Sequence, residues 1–325
     1  MRQYILFGAG EIGKNALKFF GKDRVVCFCD NNSHKKNDSV DGVPIIPATD
    51  LSKFVGDEIT IVITTTKLRN VVEISRQLWS LGYDFKLFEE AGEEILREDI
   101  GDYCALNQRD SFEYDRNCEY LVSVDRYKRA GNADSYFWQD LWAAKKISLS
   151  DISVHYDIGS RLDGFIAHLL SCGKTVRMID IRPLPFHIPG LEFTEANATE
   201  LDSIEDESVD SISALCSLEH FGLGRYGDPI DPEACFKAFA AIQKKIRVGG
   251  HAYISVPIGK EHLEFNAHRV FYPQTIIESF DKMKLVELSS CYKNEIEYNI
   301  DLHKYDTWDR HGGERFGLFE FCKEG

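Results

Sequence analysis

HYDIGSRLDGF, His155 to Phe165, decides how this chain is read. An apolar run ends in an acid and a glycine, Asp157 and Gly159. A second glycine, Gly164, then opens another apolar run, GFIAHLLSC. A strand that stops at a glycine turn and continues as a helix is the first half of a βαβ unit. The segments downstream keep the alternation. KTVRMIDI reads as a strand, LEFTEAN as a short strand and SVDSISALCS as a longer one. DPEACFKAFAAIQKKI is a helix, GGHAYISVPIG a strand, FYPQTIIESFDKM a helix, and KLVELSSCY and RFGLFEFCK are the last strands. The final two strands lie close together in sequence compared with the earlier crossovers. This predicts an antiparallel terminal strand on a mostly parallel sheet.

In a doubly wound sheet, ligands sit beyond the carboxyl ends of the strands. Those positions hold Asp157 and Gly159, then Asp180, then Asn197, Ala198 and Thr199, then Glu219 and His220. This order of features resembles the class I S-adenosylmethionine-dependent methyltransferases. The resemblance implies a seven-stranded sheet. It places Asp157 and Gly159 at the methionyl end of S-adenosylmethionine, Asp180 at the ribose, and Asn197 and Ala198 at the adenine, with Ser160 and Ile181 as further cofactor contacts. The turn departs from the family pattern, since Ser160, Arg161, Leu162 and Asp163 separate its two glycines. Longer strings, HYDIGSRLDGFIAHLL, IDIRPL, LEHFGLGRYGDPIDP, VPIG and FNAHRVF, are similar to an uncharacterised, mainly bacterial family with a methyltransferase-like fold. That family often lies among surface-polysaccharide genes. The implied activity is methyl transfer to a sugar or nucleotide-linked sugar, with oxygen as the expected acceptor atom.

Methyl transfer to a hydroxyl needs an aligned nucleophile and a place for its proton. His220 is the expected base, Glu219 either orients it or contacts the cofactor, and His268 is the reserve base. A histidine that caps or packs beside the next loop is the alternative for His220. GLGRYGDPIDP supplies Arg225, Tyr226 and Asp228, and EFNAHRVF supplies Asn266 and Arg269, as expected acceptor contacts. A guanidinium suits a bidentate contact with phosphate or carboxylate. The histidine and acid spacing is not a recognisable metal-ligand set, so no metal is expected.

The N-terminal part reads as a second alternating unit. QYILF, RVVCFCD, EITIVITT and DFKLFE are strands. GAGEIGKNALKFF and LRNVVEISRQLWSLGY are helical, and NNSHKKNDSVDGVP is a loop. GAGEIG places Gly8, Gly10 and Gly13 in the G-x-G-x-x-G pattern between a strand and a helix. Asp30 ends the next strand,. FGAGEIGK followed by FCDNN resembles the small N-terminal domains of bacterial sugar-modifying enzymes, and the resemblance implies a nucleotide or nucleotide-sugar site that includes Glu11, Ile12, Thr64 and Thr65. A Rossmann unit kept only for docking or dimerisation is the alternative, so a homodimer is one expected assembly. The organisation expected is α/β. A small Rossmann-like domain spans 1–95, and a connecting segment with a docking helix spans 96–150. A methyltransferase-like domain spans 151–325. In the docking helix, Phe137, Leu141 and Trp142 share the expected buried face.

Composition narrows the class. The chain has 325 residues, enough for two domains, and a net charge of −15, which argues against a nucleic-acid partner,. Nine scattered cysteines suit a reducing compartment,. Cys27 and Cys29 fall on one face of a strand and are expected to pack. No apolar run suits a bilayer span and the start lacks a signal pattern, so a cytoplasmic location is expected. A nicotinamide-dependent sugar oxidoreductase or epimerase using GAGEIG is a competing reading. It lacks a Tyr-x-x-x-Lys pair, since Tyr127 and Lys128 are adjacent. A non-catalytic nucleotide-sugar-binding protein is a third.

Overall fold

The computed structural model describes residues 2–36, 38–54, 56, 58–122, 126, 130–309 and 313–325. Tyr127 and Lys128 lie outside the described residues. The chain forms two compact units, Met1–Gly131 and Asn132–Gly325.

The first unit holds strands β1 (Gln3–Phe7), β2 (Val25–Cys29), β3 (Ser39–Val40), β4 (Val43–Ile46), β5 (Ile59–Ile63) and β6 (Phe85–Leu87). Its helices are α1 (Glu11–Phe20), α2 (Leu68–Ser80) and α3 (Phe88–Leu106). The sheet order is β3-β4-β2-β1-β5-β6, all parallel except β3. The segment expected as a loop after β2 therefore contains two strands. β4 pairs with β2 through Phe28 and Cys29, which extends the sheet. Cys27 and Cys29 are buried in the core. The expected domain limit at residue 95 falls inside α3, whose Ala91 and Ile95 pack into the first unit's core.

The second unit begins with α4 (Ser135–Leu149), capped by the Asp134 carboxylate, which accepts from the Phe137 amide,. Then follow β7 (Val154–Ile158), α5 (Gly164–Ser171), β8 (Thr175–Asp180), β9 (Leu191–Glu195), β10 (Val209–Leu215), α6 (Ala234–Lys245) and β11 (Ile246–Pro257). A hairpin of β12 (His262–Glu264) and β13 (His268–Val270) leads to α7 (Pro273–Ser279), β14 (Lys284–Tyr292), β15 (Glu295–Glu297) and β16 (Phe316–Cys322). The main sheet runs β15-β14-β16-β11-β10-β7-β8-β9. The strands from β9 to β11 are parallel, and β16 is antiparallel to both β11 and β14. Without the edge strand β15 this is the seven-stranded, methyltransferase-type sheet with an antiparallel terminal strand. The chain reverses its direction of winding between β7 and β10, which opens a crevice at their carboxyl ends.

Apolar faces cover both sides of this sheet. Phe239, Ile276 and Phe280 from α6 and its neighbour α7 pack on one side, with Phe319 and Phe321 of β16. Trp142 and Ile147 of α4 and Phe165 and Leu169 of α5 pack on the other. The docking helix buries Ser135, Gln139, Trp142, Ala143 and Ile147, whereas Phe137 and Leu141 are exposed. Trp142 fixes that rotation, because its indole N–H donates to Glu287 Oε1 at 2.8 Å.

Candidate active site

The turn after β7 forms the floor of a cavity of about 270 Å³ at the reversal point. Gly159 has φ +74°, and a Cβ there would come within 2.8 Å of Ser217 Cβ,. Sheet register sets Ser213 opposite Asp157. Asp157 is fully buried, and its carboxylate accepts from Ser213 Oγ at 2.6 Å, Ser160 Oγ at 2.8 Å and the Ser160 amide at 3.2 Å. Burial pushes this acid up to about 6, against the lowering effect of those bonds. Asp157 thus fastens the turn from beneath, and Gly159 and Ser160 line the cavity. Beneath it, His155 bridges Ser211 and Ser213 at 2.8 and 2.9 Å, as a neutral core ring.

Asp180, Ile181, Asn197 and Ala198 line the same cavity at the ends of β8 and β9. The Asp180 Oδ1 accepts from the Arg182 amide and Nε at 2.8 and 2.9 Å, and its Oδ2 from Nη2 at 2.5 Å. The guanidinium also lies 4.8 Å above the Tyr226 ring. A carboxylate has about four acceptor sites, so Oδ2 keeps room for a second donor. Asn197 Oδ1 accepts from the Thr199 amide at 3.1 Å and likewise retains a lone pair,.

Helix α4 contributes residues that the strand-end rule does not reach. Tyr136, Gln139 and Asp140 line the cavity. Gln139 Oε1 accepts from Ser255 Oγ at 2.8 Å and Cys216 Sγ at 2.9 Å, which ties α4 to β10 and β11. Asp140 is the electrostatic feature of the site. Burial, and then the charges of Asp163 and Asp157, push its carboxyl up to about 7. Asp163 pairs with Arg161 at 2.6 Å, Asp180 with Arg182 and Asp231 with Lys237 at 2.7 Å. Among the described residues no cation pairs with Asp140. Its sequence signal was a polar Gln-Asp step on an otherwise apolar helix face.

After β10 a single 3-10 turn, Leu218–His220, carries the expected base. His220 Nδ1 is 2.6 Å from the Ala267 carbonyl, which only accepts, so Nδ1 carries the hydrogen,. Nε2 faces Glu219 Oε1 at 3.5 Å. Burial holds His220 down to about 4 and pushes Glu219 up to about 8. Glu219 Oε2 is buried without a hydrogen-bond partner. The structure brings His220 together with Arg225, Tyr226 and Asp228 in the first cavity. Arg225 Nη1 donates to the Ala267 carbonyl at 2.9 Å. Asp228 accepts from the amides of Gly222 at 2.7 Å, Gly224 at 3.3 Å and Tyr226 at 3.2 Å, so it shapes the loop. Arg269 donates to the carbonyls of Phe221 at 2.7 Å and Pro232 at 3.2 Å, pinning the hairpin to that loop. Asn266 is exposed at the hairpin turn. His268 is buried and lines a second cavity.

In the first unit, Gly8 has φ +119° and its amide donates to Cys29 O at 2.8 Å. A Cβ on Gly13 would come within 1.9 Å of Gly8 O, which explains the third glycine, while Gly10 faces open space. Glu11 and Ile12 begin α1, and Thr65 follows Thr64 after β5. Asp30 accepts from the Ala9 amide at 2.9 Å, the Asn32 amide at 2.9 Å and Lys35 Nζ at 3.0 Å. Burial raises this acid, but those donors outweigh burial and hold it below the usual carboxylate range. Thr64 Oγ1 donates to the carbonyls of Phe7 and Gly8.

A protein-family model described as Caenorhabditis protein of unknown function, DUF268, matches residues 194–311. This segment contains His220, Asn266 and His268. No curated protein matches the chain. Among solved structures, the chain is similar to the 1,6-didemethyltoxoflavin-N1-methyltransferase of Burkholderia thailandensis, solved with 1,6-didemethyltoxoflavin and S-adenosylhomocysteine. Identity is 20%, 58% of this chain and 81% of that one are covered, and the TM-score is 0.41. The N-methyltransferase NodS of Bradyrhizobium japonicum WM9, solved with S-adenosylhomocysteine, is 14% identical over 59% of this chain and 89% of that one, with a TM-score of 0.40. A TehB-like S-adenosylmethionine-dependent methyltransferase of Corynebacterium glutamicum is 15% identical over 58% and 95%, with a TM-score of 0.38. Strand order, rather than these likenesses, defines the second sheet. Among the described residues no helix is long and apolar enough to cross a membrane.

Proposed function

We propose that the chain is an S-adenosylmethionine-dependent methyltransferase whose acceptor is a hydroxyl of a sugar or nucleotide-linked sugar used in bacterial surface-polysaccharide synthesis. The observation that carries the cofactor assignment is Asp140. A half-buried carboxyl pushed up to about 7, in a cavity at the reversal point, favours a cationic ligand,. The methionyl ammonium supplies that charge. Asp180 Oδ2 then receives one ribose hydroxyl, Asn197 and Ala198 border the adenine, and the turn at Gly159 and Ser160 lets a ligand approach the backbone,. The sugar assignment is supported by the sequence resemblance and by the polar rim of the site.

When bound, the cofactor supplies an electrophilic methyl group on a sulfonium. His220 provides a neutral ring with a bare Nε2, and Glu219 lies beside it. Together they can take the acceptor's proton, and the ionised glutamate stabilises the imidazolium that results. The test is calorimetric titration with S-adenosylhomocysteine. One-site binding that Asp140→Asn weakens supports the assignment, and a folded protein that does not bind refutes it. For the first unit we propose a nucleotide or nucleotide-sugar ligand at the open face of Gly10, tested by the same titration with uridine diphosphate.

A further inference from the structure

His155 and Asp157 of β7 and Ser211 and Ser213 of β10 sit at alternate positions on two paired strands, so all four face one side of the sheet,. All four are buried. They form one unbroken chain of hydrogen bonds. Ser211 Oγ is 2.8 Å from His155 Nδ1, His155 Nε2 is 2.9 Å from Ser213 Oγ, and Ser213 Oγ is 2.6 Å from Asp157 Oδ1. We infer that His155 is a positioning residue of the cofactor site: as the Nε2–H tautomer it directs, through Ser213, the hydrogen bond that holds Asp157 as an anion and keeps the Gly159–Ser160 turn fastened. The inference rests on the methyltransferase reading above.

The count of hydrogens fixes the direction of the chain. An ionised carboxylate only accepts, and a serine hydroxyl has a single hydrogen to give. Ser213 spends its hydrogen on Asp157, so towards His155 its oxygen can only accept. Nε2 therefore carries a hydrogen. Burial, and then the charge of Lys174, keep the ring neutral, so Nδ1 is bare and accepts from Ser211. Every hydrogen thus points towards Asp157, and bonds aligned in one direction strengthen one another. The opposite tautomer would set two lone pairs against each other between Nε2 and Ser213. It is satisfied only if Asp157 Oδ1 carries a hydrogen and Ser213 turns its own to the ring. The tautomer of His155 and the charge of Asp157 are linked.

The chain ends at the cofactor turn. On its far side Asp157 accepts from the Ser160 hydroxyl at 2.8 Å and the Ser160 amide at 3.2 Å, and Gly159 and Ser160 line the cavity. Burial and the charge of Asp180 on β8 oppose the anion, while the donors from Ser213 and Ser160 favour it. The charge of Asp157 in turn acts on Asp140 of α4, in the cavity wall. Around the ring itself stand Phe165 of α5 and Tyr253 of β11, with centroids 6.0 and 6.5 Å away. His155 thus acts through Asp157 on two things a cofactor meets, the shape of the turn and the negative charge beneath it.

The test uses the full chain. Long-range proton–nitrogen NMR on protein with isotope-labelled histidine reads the tautomer, and the signal missing from a His155 variant assigns it. The Nε2–H form is expected at about pH 8. Calorimetry with S-adenosylhomocysteine reads the consequence. His155→Phe keeps a ring but no hydrogen-bonding nitrogen, and should bind about fivefold more weakly or worse. Its loss of affinity on acidification should begin at a higher pH than in the wild type, because a less supported Asp157 takes up its proton earlier. His155→Gln, whose amide can donate to Ser213, should recover most of the affinity. A ring that only filled the core would give the reverse order, with phenylalanine the better replacement. An Nδ1–H tautomer, wild-type affinity in His155→Phe, or a glutamine variant weaker than the phenylalanine variant overturns the inference. If His155→Phe does not fold, the wild-type tautomer, assigned with His155→Gln, decides. Each of these results leaves the methyltransferase reading standing, which fails only if the wild-type protein does not bind S-adenosylhomocysteine.

Discussion

Replacing Asp140 by asparagine removes one charge and keeps the shape of the side chain. In the free protein this carboxyl titrates near 7 instead of its ordinary 3.8. At about 1.4 kcal/mol per tenfold change in the proton equilibrium, carrying it as an anion costs roughly 4 kcal/mol at most. A cation beside it removes much of that cost, so only the ionised form binds the methionyl ammonium well. If the bound acid titrates near its ordinary value, affinity falls as pH falls, becoming about tenfold weaker at about pH 6 than at about pH 8. An asparagine at this position has no anionic form at any pH, so Asp140→Asn should bind S-adenosylhomocysteine more weakly and without that slope. Stability should move the other way. A raised folded-state titration point contributes stability that is complete below the unfolded value and is lost as pH rises through about 7,. Asp140→Asn should therefore raise the Tm of the free protein, more at about pH 8 than at about pH 5. Calorimetry across this range, with thermal melts of both proteins, checks both signs. A pH-independent affinity in the wild type, or an asparagine variant that binds normally, would refute the reasoning.

Three further outcomes follow from named contacts. Asp180→Ala should weaken S-adenosylhomocysteine binding by at least about tenfold, since charge-assisted hydrogen bonds are worth roughly 1.5–3 kcal/mol, and calorimetry reads the loss directly. Glu219→Gln should lower turnover by about a hundredfold or more while cofactor affinity stays within about threefold. Because burial pushes Glu219 up to about 8 and its anion is the useful form, wild-type turnover should rise with pH through that region, and the variant should lose the rise,. Gly222→Ala should lower the Tm and destabilise the fold by more than about 2 kcal/mol, because φ is +75° and the new Cβ would lie 1.8 Å from Asp231 O,. Chemical denaturation that shows no change would contradict the loop geometry.

Much of the site's frame was legible along the chain. Strand ends announced themselves by apolar runs that stop at polar residues, and this was enough to bring Gly159, Asp180, Asn197 and His220 to one cavity. The two short strands after β2 were not legible, because β3 and β4 span only two and four residues inside a turn-rich segment. The rotation of α4 is not legible along the chain either. Phe137, Leu141 and Trp142 are all large side chains that could face the core, and the partner at Glu287 turns Trp142 inward.

Periodicity and turn chemistry thus determined the alternating architecture, the glycine positions and the set of strand-end residues, because these depend on neighbours within a few positions along the chain. Tertiary structure alone decided what each polar group does. Asp157 became a buried fastening for its turn because register set Ser213 opposite it. Arg269 became a clamp because Phe221 and Pro232 present carbonyls to it. Asp140, absent from any strand end, became the raised acid of the cavity because α4 is tied to Cys216 and β11 and lies near Asp163. Partners and solvent exposure fix the protonation and availability of a side chain, and both are set by residues far away in sequence.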